Sequence, residues 1–187
     1  MNKYLRAIGV YPVGAVKMGV LKLLHGKGFH GPALCQISPR TELTVDFGAT
    51  LSIGTGFKMR PGAVLRVRKG AVCKIGNNVS FNLNNMLACQ EAVTLGDDVI
   101  LSPNVQIYDH DHDYRAEGGV AAMCYKTSPV VIGSNVWIGA NCVILRGTRI
   151  GDNCVIGAGC IVRGEIPANS VVTQERKTEI RIREETT

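Results

Sequence analysis

The sequence predicts an all-β chain wound as a parallel β-helix, a prism of stacked triangular coils with a short N-terminal helical cap and a charged C-terminal tail. Two observations carry that prediction. Branched aliphatic residues recur at every sixth position as Ile132, Ile138, Ile144, Ile150, Ile156 and Val162. The third residue after each of the first five is Asn135, Asn141, Gly147, Asn153 or Gly159, residue types that adopt a positive φ at little cost.

A period of six suits neither an α-helix nor a plain alternating strand. It does suit a short strand followed by a corner. The aliphatic side chain points inward, the Asn or Gly turns the chain, and a small residue fills the inside of the corner. Val136, Cys142, Thr148, Cys154 and Cys160 occupy that last place. Three corners close a coil, and successive coils stack at about 4.8 Å, the spacing of paired strands. The same register recurs upstream in Ile53, Met59 and Leu65, then Ile75, Phe81 and Leu87, then Leu95, Leu101 and Ile107.

Composition agrees with a core of stacked strands. Hydrophobic residues make up 45% of the 187, aromatics only 5%, and there are 22 glycines. Seven cysteines, an odd number without a CxxC pair, read as reduced packing residues of a cytoplasmic protein. The uncharged stretch Ala7 to Val16 is too short to span a bilayer, and no cleavage site follows it. The net charge of +6 alone would allow nucleic-acid binding, but no basic platform interleaved with aromatics appears, so no nucleic-acid partner is expected.

Residues 1–30 read as a helical cap with Leu5, Ile8, Val16, Leu21 and Leu24 available to one face. Lys3, Arg6, Lys17, Lys22 and Lys27 make the same segment basic, so weak contact with a membrane surface stands beside the cap reading. Residues 31–173 form the β-helix domain, with an excursion loop at 108–130, and residues 174–187 form the charged tail.

The excursion is where chemistry is expected. Ile132 comes 25 residues after Ile107, which keeps neither a six-residue nor an eighteen-residue frame. The segment opens with YDHDHDY (108–114), which holds two of the four histidines. A histidine oriented by a carboxylate can act as a general base near neutral pH, taking a hydroxyl proton as the oxygen attacks a thioester. Alternating His and Asp could also chelate a metal, but no third and fourth ligand are evident, so no metal is expected.

The runs VIGSNVWIGA (131–140), IGDNCVIGAG (150–159) and IPANS (166–170), together with the histidine loop, resemble the hexapeptide-repeat O-acetyltransferases, in particular the branch that modifies sugars and polysaccharides. The resemblance covers about residues 75–172. It implies a left-handed coil, where the general crossover rule would give a right-handed one. It also implies acetyl-CoA as acyl donor, a sugar or saccharide acceptor, and a homotrimer with active sites between subunits.

By that resemblance the base falls five residues after Ile107, at His112, in preference to His110. Asn84, second of the Asn82-x-Asn84 pair, would hold the acceptor at the catalytic centre, although its place three after Phe81 equally suits a turn. Asp109, His110 and Tyr114 would contact the acceptor. Trp137, the backbone of Ala140 and Ala158, and Arg163 would meet the donor. The stretch TQERKTE (173–179) departs from the basic segment usual after the last coil, and the N-terminal segment differs from that of the galactoside enzymes. Acyl transfer to an amine, a γ-type carbonic anhydrase and a non-catalytic β-helix scaffold are the competing readings.

Overall fold

A computed structural model describes residues 3–175, 177 and 179, with side chains from residue 10 onward. The predicted charged tail therefore lies mostly outside the described residues, as do the side chains of Lys3, Leu5, Arg6 and Ile8. A helix, Lys3–His25, precedes a series of short strands that stack into three parallel sheets of seven, seven and six strands. These sheets are the three faces of the prism.

The first face contains Thr50–Ile53, Val72–Ile75, Ala92–Leu95, Val130–Ile132 and Arg149–Ile150. The second contains Lys58–Met59, Ser80–Phe81, Ile100–Leu101, Trp137–Ile138 and Val155–Ile156. The third contains Val64–Val67, Met86–Cys89, Gln106–Tyr108, Val143–Ile144 and Ile161–Val162. Each coil donates to the next along the stack: Trp137 N–H bonds Cys154 O at 2.9 Å, and Val143 N–H bonds Cys160 O at 2.9 Å.

Interior ladders follow the predicted register. Met59, Phe81, Leu101, Ile138 and Ile156 are buried along the second face, and Leu65, Leu87, Ile107, Ile144 and Val162 along the third. Phe57 and Phe81 meet edge-on with centroids 5.5 Å apart, filling the wider early coils. Four-residue strands on the first and third faces lengthen those coils: Leu51 pairs with Cys73, whereas Val131 pairs with Arg149. That explains why the six-residue frame slips upstream.

The corners carry the strain expected of them. Asn135, Asn141 and Asn153 have φ of 55°, 59° and 56°, and Gly147 and Gly159 have 77° and 75°. The small residues inside these corners, Val136 through Cys160, are buried. Thr148, the polar member, satisfies its hydroxyl by donating to Leu145 O at 2.6 Å. Six of the seven cysteines are buried; Cys124, in the excursion, is exposed.

Candidate active site

The chain leaves the prism after Tyr108, at the corner between the third and first faces, and re-enters at Val130. It departs as a two-stranded antiparallel ribbon, His110–His112 against Tyr125–Thr127, with His112 opposite Tyr125. Ser128 N–H bonds Asp109 O at 2.8 Å and closes the base of the ribbon. Gly147 N–H bonds Ser128 O at 3.0 Å and seats the ribbon on the next coil. The tip carries exposed Tyr114, Val120 and Met123.

The departure leaves backbone donors of the preceding coil without the stacked carbonyls that other corners receive. Asp109 supplies the substitute. Its carboxylate accepts from the N–H groups of Gln90 (2.8 Å), Glu91 (2.8 Å) and Ala92 (2.8 Å). It also meets His110 Nδ1 at 2.9 Å and is fully buried. Burial works against its charge, but the His110 N–H and the backbone N–H groups of Gln90 and Glu91 outweigh it and hold the carboxyl below the usual aspartate range. Asp109, expected to touch the acceptor, here has its oxygens engaged by main-chain amides and by the His110 ring.

His110 gains from this arrangement. A carboxylate on Nδ1 requires the proton there, which leaves Nε2 of the neutral ring as an acceptor. The side chain keeps 14% exposure, enough to present one edge to solvent. His112, two residues on, projects from the same side of the strand and is exposed. Tyr125 lies against both rings, 5.2 Å from His110 and 4.7 Å from His112.

The intervening acids face elsewhere. Asp111 pairs with Arg146 at 2.5 Å and Asp113 with Lys126 at 2.9 Å. The bond to Lys126, helped by the Arg115 N–H, holds the Asp113 carboxyl below its ordinary value. Among the described residues no three His, Cys, Asp or Glu converge as metal ligands.

Of the other predicted residues, Asn84, Trp137, Ala140 and Ala158 lie apart from the histidines within one chain, whereas Arg163 and Tyr114 lie on the histidines' side. Asn84 sits at the corner between the second and third faces with φ 56°. Its amide joins a ladder along that corner, donating to Asn104 Oδ1 at 3.3 Å, while Asn104 donates to Asn141 Oδ1 at 3.0 Å. Ala140 and Ala158 stack on the same ridge, with Gly159 N–H bonding Ala140 O at 2.7 Å. A Cβ on Gly139 would come within 2.6 Å of Ala158 N, so the coils meet there without side chains between them. Trp137 lies exposed on the second face, its indole N–H donating to Ser102 Oγ at 2.9 Å. Arg163 is exposed at the corner between the third and first faces, as the histidine ribbon is. Tyr114 is exposed at the loop tip with Arg115 stacked on its ring, 5.3 Å from the centroid.

Tyr125, Arg146 and the amide cradle at 90–92 are contributions that the sequence reading missed. Tyr125 and Arg146 reach the loop through ribbon pairing and coil stacking, neither of which leaves a local motif.

Comparison with known proteins agrees with this architecture. The family model of the bacterial transferase hexapeptide (six repeats) matches residues 129–164. The putative lipopolysaccharide biosynthesis O-acetyl transferase WbbJ of Escherichia coli is 32% identical over 141 residues, covering 71% of this chain and 69% of that protein. The galactoside O-acetyltransferase of E. coli is 41% identical over 101 residues, and the chain spans about half of it, 47%. The crystal structure of a maltose O-acetyltransferase from Clostridium difficile superposes with a TM-score of 0.54 at 31% identity, covering 82% of this chain and 67% of that one. The chain belongs to the hexapeptide-repeat acetyltransferase family and is an acyltransferase built on a left-handed parallel β-helix.

Proposed function

We propose that the protein transfers an acetyl group from acetyl-CoA to a hydroxyl of a saccharide, with His110 as general base, in a site shared between two subunits of a homotrimer. The observation that carries this reading is the Asp109–His110 contact of 2.9 Å, which fixes the imidazole with Nε2 free. Of the two loop histidines, His110 has the buried carboxylate partner and His112 has only the Tyr125 ring against it among the contacts described. His110 therefore replaces His112 as the proposed base.

The reaction needs little else from the loop. Nε2 of His110 takes the hydroxyl proton as the acceptor oxygen attacks the thioester carbonyl carbon. The C–S bond breaks, and the imidazolium returns its proton to the departing thiolate. Asp109 keeps the ring oriented and stabilises its transient charge, while Tyr125 limits its rotation. No covalent acyl-enzyme is required.

A shared site follows from where the remaining residues stand. Asn84, Ala140 and Ala158 line one edge of the third face, and His110 and Arg163 lie at its other edge. In one chain the third face separates them; a neighbouring copy can bring one chain's ridge beside another's ribbon. The flush ridge at Ala140 and Ala158 offers a smooth floor for the pantetheine arm, and exposed Trp137 offers an apolar wall. The relatives, a putative lipopolysaccharide biosynthesis O-acetyl transferase and a galactoside O-acetyltransferase, support a saccharide acceptor, with Asn84 and Tyr114 as its contacts. Seven free cysteines fit a cytoplasmic location.

Turnover measured with acetyl-CoA over a panel of sugars, nucleotide sugars and oligosaccharides tests the proposal. His110→Ala is expected to lower kcat by about 10²- to 10⁴-fold while acetyl-CoA affinity by calorimetry is retained. His112→Ala is expected to stay within about ten-fold of wild type. Loss in His112→Ala alone would return the role to that residue, and unaffected turnover in both would remove the loop from the chemistry.

A further inference from the structure

The N-terminal helix has two apolar sides, and the prism uses only one. Met18 and Leu21 are buried, and Gly14 packs so closely that a Cβ there would come within 2.1 Å of the Cys35 carbonyl oxygen. On the opposite side Val16, Val20 and Leu23 follow one another at helical spacing with 65%, 47% and 84% of their surfaces exposed, and Leu24 beside them has 52%. Single exposed apolar residues on a protein surface are ordinary; a continuous stripe of them on one helix marks a contact surface.

Charge says what the stripe faces. The first acidic residue of the chain is Glu42, and six of the 21 Lys and Arg precede it. That leaves 15 Lys and Arg to balance 15 Asp and Glu, so the whole net charge of +6 resides in the first 41 residues. A second copy docking face to face would set this excess against itself. A surface that is apolar inside and anionic at its boundary is complementary to both features.

We infer that the helix docks the protein onto anionic lipid bilayers, lying in the headgroup plane with Val16, Val20 and Leu23 toward the acyl chains. No helix among the described residues is long and apolar enough to cross a membrane, so the contact is peripheral. Lys22 is exposed on the flank of the helix one turn after buried Met18, its Nζ donating to Gly26 O and Phe29 O at 3.3 Å, long bonds that a lipid phosphate can replace. The inference is independent of which saccharide is acetylated.

Sedimentation of the full chain with vesicles of phosphatidylcholine alone, or containing about 30 mol% phosphatidylglycerol, tests it. Binding is expected to the anionic vesicles, at least about ten-fold weaker when salt is raised from about 0.1 to 0.5 M. The double variant Val16→Glu/Leu23→Glu is expected to lose vesicle binding at least about ten-fold while keeping its thermal midpoint and its turnover on a soluble acceptor. Absence of binding, or equal binding to neutral vesicles, would overturn the inference. So would a change in the variant's solution mass, which would assign the stripe to contact between chains.

Discussion

Asp109 and His110, adjacent in the chain, face each other at 2.9 Å across their side chains because the carboxylate is pinned from behind by the amides of Gln90, Glu91 and Ala92. One residue thereby caps the coil that the loop abandons and orients the ring that the loop presents. The place where the prism is interrupted and the place where a base is aimed are coupled.

Removing that carboxylate should cost both stability and activity. Asp109→Ala leaves three part-buried donors without that acceptor, and a loss of roughly 1–3 kcal/mol in urea unfolding is expected. Turnover should fall with it as His110 loses its orientation. A stability loss near zero would mean that water or a shifted backbone serves the amides as well.

Acid unfolding should report the same residue. The Asp109 carboxyl titrates below its ordinary range in the folded chain, so the stability it contributes is fully present above about pH 4 and is lost as pH falls through the folded value. Asp109→Asn, nearly the same in shape, should flatten the slope of stability against pH below about 4. An unchanged slope would place the acid sensitivity elsewhere.

The corner ladder makes a separate prediction. Asn141 holds φ 59° and accepts the amide of Asn104 at 3.0 Å. Asn141→Ala should destabilise by about 1–2 kcal/mol through the left-handed backbone, whereas Asn141→Gly should recover most of that loss. Equal denaturation midpoints for the two variants would show that the corner relaxes to negative φ.

Trp137 should matter to the donor and little to folding. It is half exposed, anchored through its indole N–H to Ser102. Trp137→Ala is expected to weaken acetyl-CoA binding about ten-fold by calorimetry with little change in thermal midpoint. Unaltered affinity would remove the second face from the donor site.

Much of the fold was legible because each coil repeats one local solution. Ile138 and Ile144 point inward and Asn135 and Asn141 turn the chain for reasons that lie within six residues, so periodicity alone reveals them. Upstream the frame slips at Leu51 and Cys73, since extra strand residues lengthen the coils without changing which side chains face in. The excursion was legible too, as a failure of the period between Ile107 and Ile132. Roles inside it were not: the resemblance put the base at His112 and Asp109 on the acceptor, and the burial of Asp109 against His110 appears only once the coils have stacked.

The sequence by itself determined the repeating strand and corner, the place where the repeat breaks, and the basic N-terminal segment, because those depend on residue type and spacing along the chain. Tertiary structure alone decided that Asp109 is a buried anchor, that His110 is the oriented histidine, that Asn84 stands across the third face from both, and that the helix keeps an open apolar side. Each of these depends on which backbone donors and which surfaces remain uncovered after the coils have stacked, a quantity that no local pattern records.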